Sequence, residues 1–82
     1  MFKKDEIIKH ERFMDVAIMV IECTETPLCY LVKGRWINQG FTSSDCIGYQ
    51  PVLLTIPKDG KWFRCVDPNK NKCLRYCDWE PI

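Results

Sequence analysis

The feature that most restricts how this chain can fold is the stretch of residues 52–66, VLLTIPKDGKWFRCV, in which two β-prone runs flank a block of turn formers. Residues 52–56 and 61–66 are rich in the β-branched and aromatic side chains that suit a pleated sheet, and Pro57, Lys58, Asp59 and Gly60 between them favour a reversal. The stretch reads as a β-hairpin. Its loop is either a two-residue type I′ turn at Asp59 and Gly60 or a four-residue loop opened by Pro57. Both loops are even in length, so both place Val52, Leu54, Ile56, Phe63 and Cys65 on one face and Leu53, Thr55, Trp62 and Arg64 on the other. The first face is expected to be core. The second mixes a tryptophan and an arginine with a threonine and is expected to be half-covered or exposed.

The same alternation can be followed through the rest of the chain. Residues 16–21 hold four β-branched side chains in six positions, and both faces of residues 16–23 are apolar, which suits a central strand covered on both sides. Residues 24–27 form a turn by composition, and residue 28 begins another strand. Within it Gly34 marks either a bulge or a turn between two short strands; in the unbroken alternation Tyr30, Val32 and Trp36 face inward while Leu31, Lys33 and Arg35 face out. Residues 5–10 read as a first strand. The rival is a helix over residues 4–21 with Ile7, His10, Met14, Ala17 and Ile21 on one face. Residues 38–49 form a long polar loop, residues 67–72 a second strong turn, and residues 73–82 either one helical turn or a short final strand.

Five short strands joined by tight turns predict a mainly β fold, a small, strongly bent antiparallel sheet. The order and lengths over residues 5–66 resemble those of SH3-like barrels, a likeness of architecture that carries no diagnostic motif and selects no ligand. The alternative is an α+β arrangement in which the helix over residues 4–21 packs on an antiparallel sheet. At 82 residues the chain is expected to form a single domain, residues 1–82, burying about 60 to 65% of its unfolded surface. A hydrophobic fraction of 46% with three tryptophans excludes intrinsic disorder.

The first residues carry no apolar run of signal-peptide length, and the longest apolar run, residues 16–21, is far short of the roughly 20 residues that span a bilayer. A cytoplasmic protein without a membrane segment is expected, its six cysteines reduced, with Cys23 and Cys65 buried as small apolar residues. A disulfide scaffold and a metal site are the alternatives. No paired cysteine knuckle supports zinc: Cys23 and Cys29, Cys65 and Cys73, and Cys73 and Cys77 are spaced too loosely. No cofactor is expected. His10 is the sole histidine, and no nucleophile elbow, phosphate loop or dinucleotide fingerprint is present, so no enzymatic activity is expected.

Charge is unevenly spread. Residues 1–32 carry four basic and six acidic groups, a net of −2; residues 33–76 carry eight basic and three acidic groups, a net of +5; Asp78 and Glu80 return −2. Basic residues interleave with aromatics in two strands, Lys33, Arg35 and Trp36 in one and Lys61, Trp62 and Arg64 in the other. On a curved sheet these six are expected to converge on an exposed face that, with the loop of residues 38–49, binds a protein partner, since Trp and Arg anchor such interfaces. The same face would suit nucleic acid, with Trp62 stacking a base while Lys33, Arg35 and Arg64 meet phosphates. Ordinary strand alternation produces the same pattern with no ligand at all. A third reading is a zinc-stabilised or thiol-active domain. The size and the lack of motifs would suit a compact viral or mobile-element protein that regulates a larger component by binding it.

Overall fold

A computed structural model describes residues 2–43 and 50–82. The chain forms one antiparallel sheet of six strands: β1 (Ile7–His10), β2 (Val16–Glu25), β3 (Cys29–Asn38), β4 (Pro51–Pro57), β5 (Trp62–Cys65) and β6 (Trp79–Pro81). Their order is β4-β3-β2-β1-β5-β6. A 3-10 turn, Leu74–Tyr76, precedes β6. The helix considered for residues 4–21 does not form, because the β-branched run of β2 is drawn into a ten-residue strand paired along both sides. The tail supplies both the helical turn and the strand weighed for it, which raises the count from five strands to six.

Local chemistry accounts for the reversals. Between β2 and β3 the Thr26 hydroxyl accepts from the Cys29 amide at 3.0 Å, while the Thr26 amide donates to the Cys29 carbonyl at 2.8 Å. Before β1, Asp5 adopts φ 72°, a conformation aspartate tolerates better than most residues, and the chain doubles back so that Phe2 is buried with its ring 5.0 Å from Tyr30.

The sheet has two faces with separate cores. The inner one gathers Phe2, Ile8, Ile18, Val20, Val32, Ile56 and Trp62. Ile56 stands on the edge strand β4 and Trp62 on β5, with three strands between them, so the sheet must curl for both to share one core. Among the described residues it nevertheless remains open: β4 pairs only with β3, and β6 only with β5. Closure into a barrel is not seen. On the outer face Leu74 and Cys77 pack over Ile7, Ala17 and Ile37, with Met19, Cys65 and Trp79 at the margin.

Curling depends on one bulge. The β2–β3 register shifts between Val20 and Glu22, leaving Ile21 as the extra residue, and Gly34 lies directly opposite, partnered with Val20. The bulge is therefore on β2, and the alternation of β3 runs unbroken through Gly34. A Cβ at position 34 would stand 2.6 Å from Ile18 Cγ2 and 2.6 Å from the Met19 carbonyl oxygen, which is why glycine is needed there.

The expected hairpin is absent although both of its strands form. β4 pairs with β3, and β5 pairs with β1 on one side and β6 on the other. Residues 58–61, with Gly60 at φ 81° and the Lys61 amide donating to Asp59 Oδ1, carry the chain from one sheet edge toward the other instead of folding β5 back on β4. The phase of β5 is consequently set by the His10↔Trp62 and Ile8↔Arg64 partners, not by β4. Trp62 points inward and is 8% exposed, in edge-on contact with His10 at 5.2 Å and Phe13 at 5.5 Å. Phe63 and Cys65 go to the outer face, only half-buried. Within β4 the alternation holds, with Ile56 buried, Val52 and Leu54 half-buried, and Leu53 and Thr55 exposed.

Two stability measurements follow. Trp62→Ala is expected to cost about 3 to 5 kcal/mol in urea unfolding, the range for a large core aromatic, whereas Leu53→Ala should stay within about 0.5 kcal/mol. A larger loss for Phe63→Ala than for Trp62→Ala would contradict this core. Gly34→Ala should cost about 1 to 3 kcal/mol through overpacking against a backbone carbonyl; an unchanged midpoint would mean that the close approach of β2 and β3 is wrong.

Candidate interaction surface

Among the described residues the outer face is covered over only half its width. Cross-strand partners define its rows. Pro51, Arg35, Met19 and Ile7 form one row, at whose inner end the cover of Leu74 and Cys77 begins. The next two rows, Leu53–Lys33–Glu22 and Thr55–Leu31–Thr24, have no second layer among the described residues. Leu53 is 79% exposed and Leu31 45% exposed. Together these side chains line a shallow groove of about 310 Å³. Lys33 stands opposite Glu22 across the β2–β3 pair, so charge of both signs borders the two leucines.

The edge of β4 adds backbone groups to this surface. The Trp36 amide donates to the Gln50 carbonyl, which sets the phase of the ladder: residues 50, 52, 54 and 56 face β3, and residues 51, 53, 55 and 57 face the open edge. Pro51 and Pro57 occupy two of the four outward positions, where a missing N–H costs the sheet nothing. Only Leu53 and Thr55 present outward amides. The prolines blunt the edge at both ends against indiscriminate pairing and leave a short segment competent to receive one strand.

The six residues expected to converge are divided between the faces. Lys33 and Arg35 are exposed on the outer face of β3, and Lys61 is exposed in the turn before β5. Trp36 is half-buried and packs against the inner core, its ring 5.7 Å from Phe13. Trp62 is buried there too. Arg64 is half-buried on the inner side, its guanidinium 5.7 Å over the Phe2 ring and 3.9 Å from Glu6. Neither tryptophan offers an open ring for stacking, because each is committed to an aromatic cluster around Phe13. Of the loop of residues 38–49, residues 44–49 lie outside the described part. Residues 39–42 are held against the C-terminal segment by hydrogen bonds from Leu74 to Phe41 and from Arg75 to Gln39.

Glu22, Thr24, Leu31, Leu53 and Thr55 were not singled out as binding residues by sequence, although the alternation placed Leu31, Leu53 and Thr55 outward. What was missing was the β2 bulge, which brings Glu22 and Thr24 to that face. Among the described residues no group of three or more His, Cys, Asp or Glu side chains is disposed to hold a metal ion. No described helix is long and apolar enough to cross a membrane.

On the inner face, the ends of β2, β3 and β4 are tied by Lys58, whose Nζ lies 2.8 Å from Glu25 Oε2 and 4.8 Å from the Tyr30 ring centre. The hydrogen bond to Lys58 holds the Glu25 carboxyl below its ordinary value of 4.5, and the reciprocal bond raises Lys58 above 10.5. A depressed carboxyl stabilises the fold above its unfolded value and loses that effect as pH falls through the folded value. The ion pair is therefore fully present between the ordinary values of 4.5 and 10.5, and is lost as pH falls through the lowered Glu25 midpoint or rises through the raised one of Lys58. Carboxyl titration by NMR should place Glu25 below 4.5, and Lys58→Met should return it to the ordinary range; an unchanged midpoint in the variant would remove Lys58 as the cause.

Comparison of the chain with protein-family models, with curated proteins and with solved structures found no match in any of the three.

Proposed function

We propose that this protein is a non-enzymatic interaction module that binds a protein partner through the uncovered outer face of β2, β3 and β4. The observation that carries this reading is Leu53, 79% exposed beside Lys33 in a groove whose far wall is an open strand edge. An apolar side chain held rigidly in the open, with unpaired backbone groups next to it, suits an extended segment that adds to the edge and seats an apolar residue between Leu31 and Leu53. Lys33, with Arg35 at the border, favours an acidic residue in that segment. The SH3-like layout expected from strand order belongs to this proposal as architecture alone.

Nucleic-acid binding is the second reading, favoured by the neighbouring exposed Lys33 and Arg35. It ranks lower because Glu22 stands across from Lys33 and because Trp36 and Trp62 are packed inside.

Site-specific photocrosslinking separates the two. A photoreactive residue at position 53 should capture a protein partner that the same residue at position 59, on the exposed turn, does not, and Leu31→Asp should abolish the capture. Equal capture from both positions would contradict this surface. Should a fluorescent single-stranded oligonucleotide bind, with affinity falling steeply as salt rises and lost in the Lys33→Glu, Arg35→Glu variant but kept in Leu53→Asp, the nucleic-acid reading would replace it.

A further inference from the structure

The C-terminal cover of the outer face contains a chemical group that the binding surface does not use. β5 and β6 pair with Cys65 opposite Trp79, and the Val66 amide donates to the Asp78 carbonyl at 3.0 Å, so the antiparallel alignment continues one residue past the strands. Cys77 precedes Trp79 by two residues. It therefore shares the face of Cys65 and stands diagonally beside it. Both pack in the outer cluster with Leu74 and Ile7, where Cys77 is 8% exposed.

The two thiols have different surroundings. Cys77 Sγ is held against the carbonyls of Cys73 at 3.4 Å and Lys72 at 3.8 Å, and burial, with the adjacent Cys65, pushes it up to about 12, so it stays a thiol at neutral pH. Cys65 instead lines a groove of about 350 Å³ that opens between Ser43, Asp67 and Lys70. Cys65 is thus half-buried at a groove wall, and Cys77 is buried. Cys73 is turned away, its thiol donating to the Gln39 carbonyl at 3.1 Å. In the structure described here all of these cysteines are free.

We propose that Cys65 and Cys77 form a peroxide-responsive dithiol, with Cys65 the reacting thiol and Cys77 the resolving one. The Cys65 thiolate attacks one oxygen of a hydroperoxide, the O–O bond breaks, and the Cys65 sulfenic acid forms as the departing oxygen takes a proton and leaves as water or an alcohol. Cys77 sulfur then attacks the sulfenic sulfur, the S–O bond breaks, and the thiol proton leaves with the hydroxyl as water. Two thiols are oxidised by two electrons, and one peroxide is reduced by the same number. The disulfide ties β5 to the segment that leads into β6, fastening the cover over the outer face.

Tryptic mapping of the full chain reads this directly, since cleavage after Arg64, Lys70, Lys72 and Arg75 puts Cys65, Cys73 and Cys77 on three separate peptides. After treatment with stoichiometric hydrogen peroxide and alkylation of the remaining thiols, reactive thiols should fall from six to four. Peptide 65–70 should then be joined to peptide 76–82, and the link should disappear on reduction. In Cys77→Ala the link should be lost and a dimedone adduct should accumulate on Cys65. Because the wild-type map needs no variant, a misfolded Cys77→Ala would leave the test intact. A link to Cys73, an adduct appearing first on Cys77, or an unchanged count of six thiols would each overturn the proposal. None of these outcomes touches the groove of Leu31 and Leu53, so the binding surface stands or falls separately.

Discussion

The whole arrangement depends on how Gln39 is held. Its side chain is 1% exposed, and its amide nitrogen donates to the Val16 carbonyl at 2.5 Å and to the Phe13 carbonyl at 3.3 Å, while its backbone N–H donates to Asp15. These bonds close the connection between β1 and β2 over the end of the sheet. In turn the Gln39 carbonyl accepts from the Arg75 amide at 2.9 Å and from the Cys73 thiol, which lays the C-terminal segment on the outer face. One buried polar residue, with its amide satisfied, thus couples the closing of the inner core to the covering of the outer one. Removing the side-chain amide would leave two part-buried carbonyls, those of Val16 and Phe13, without this donor.

That coupling explains why the outer face is half bare. Among the described residues the C-terminal segment lies over Ile7 of β1, Ala17 of β2 and Ile37 at the end of β3, with Cys65 of β5 at the margin. The strands on the other side, β3 and β4, are left with Leu31 and Leu53 in the open. The two leucines stand in adjacent rows, Leu53 on the edge strand and Leu31 on its neighbour. The proposed binding function and the proposed thiol pair lie on the two halves of one face, the first where the cover stops and the second beneath it.

Most of the strands could be read from residue types, because β-branched runs broken by Pro, Gly and Asp signal strands locally. Alternation within a strand was also legible: Val52, Leu54 and Ile56 point in, Leu53 and Thr55 point out, and β3 keeps its phase from Tyr30 to Trp36. What local signals do not contain is which strand pairs with which. The parity between β4 and β5 relied on the turn of residues 57–60 making them neighbours. Pairing of β5 with β1 is a contact across more than fifty residues, and it put Trp62 in the core and Phe63 outside. The candidate site was less legible for the same reason. The basic and aromatic residues that look like one surface in sequence belong to two faces, and the Glu22 and Thr24 positions depend on a bulge that Gly34 signals but that falls on the facing strand, β2.

Amide hydrogen exchange along β4, resolved residue by residue, tests the central claim that β4 is an open edge and not one arm of a hairpin. Slow exchange is expected at Val52, Leu54 and Ile56, whose amides face β3, and fast exchange at Leu53 and Thr55, which face the open edge. Protection of all five would show a strand paired on both sides, and would contradict both the sheet order and the surface built on it.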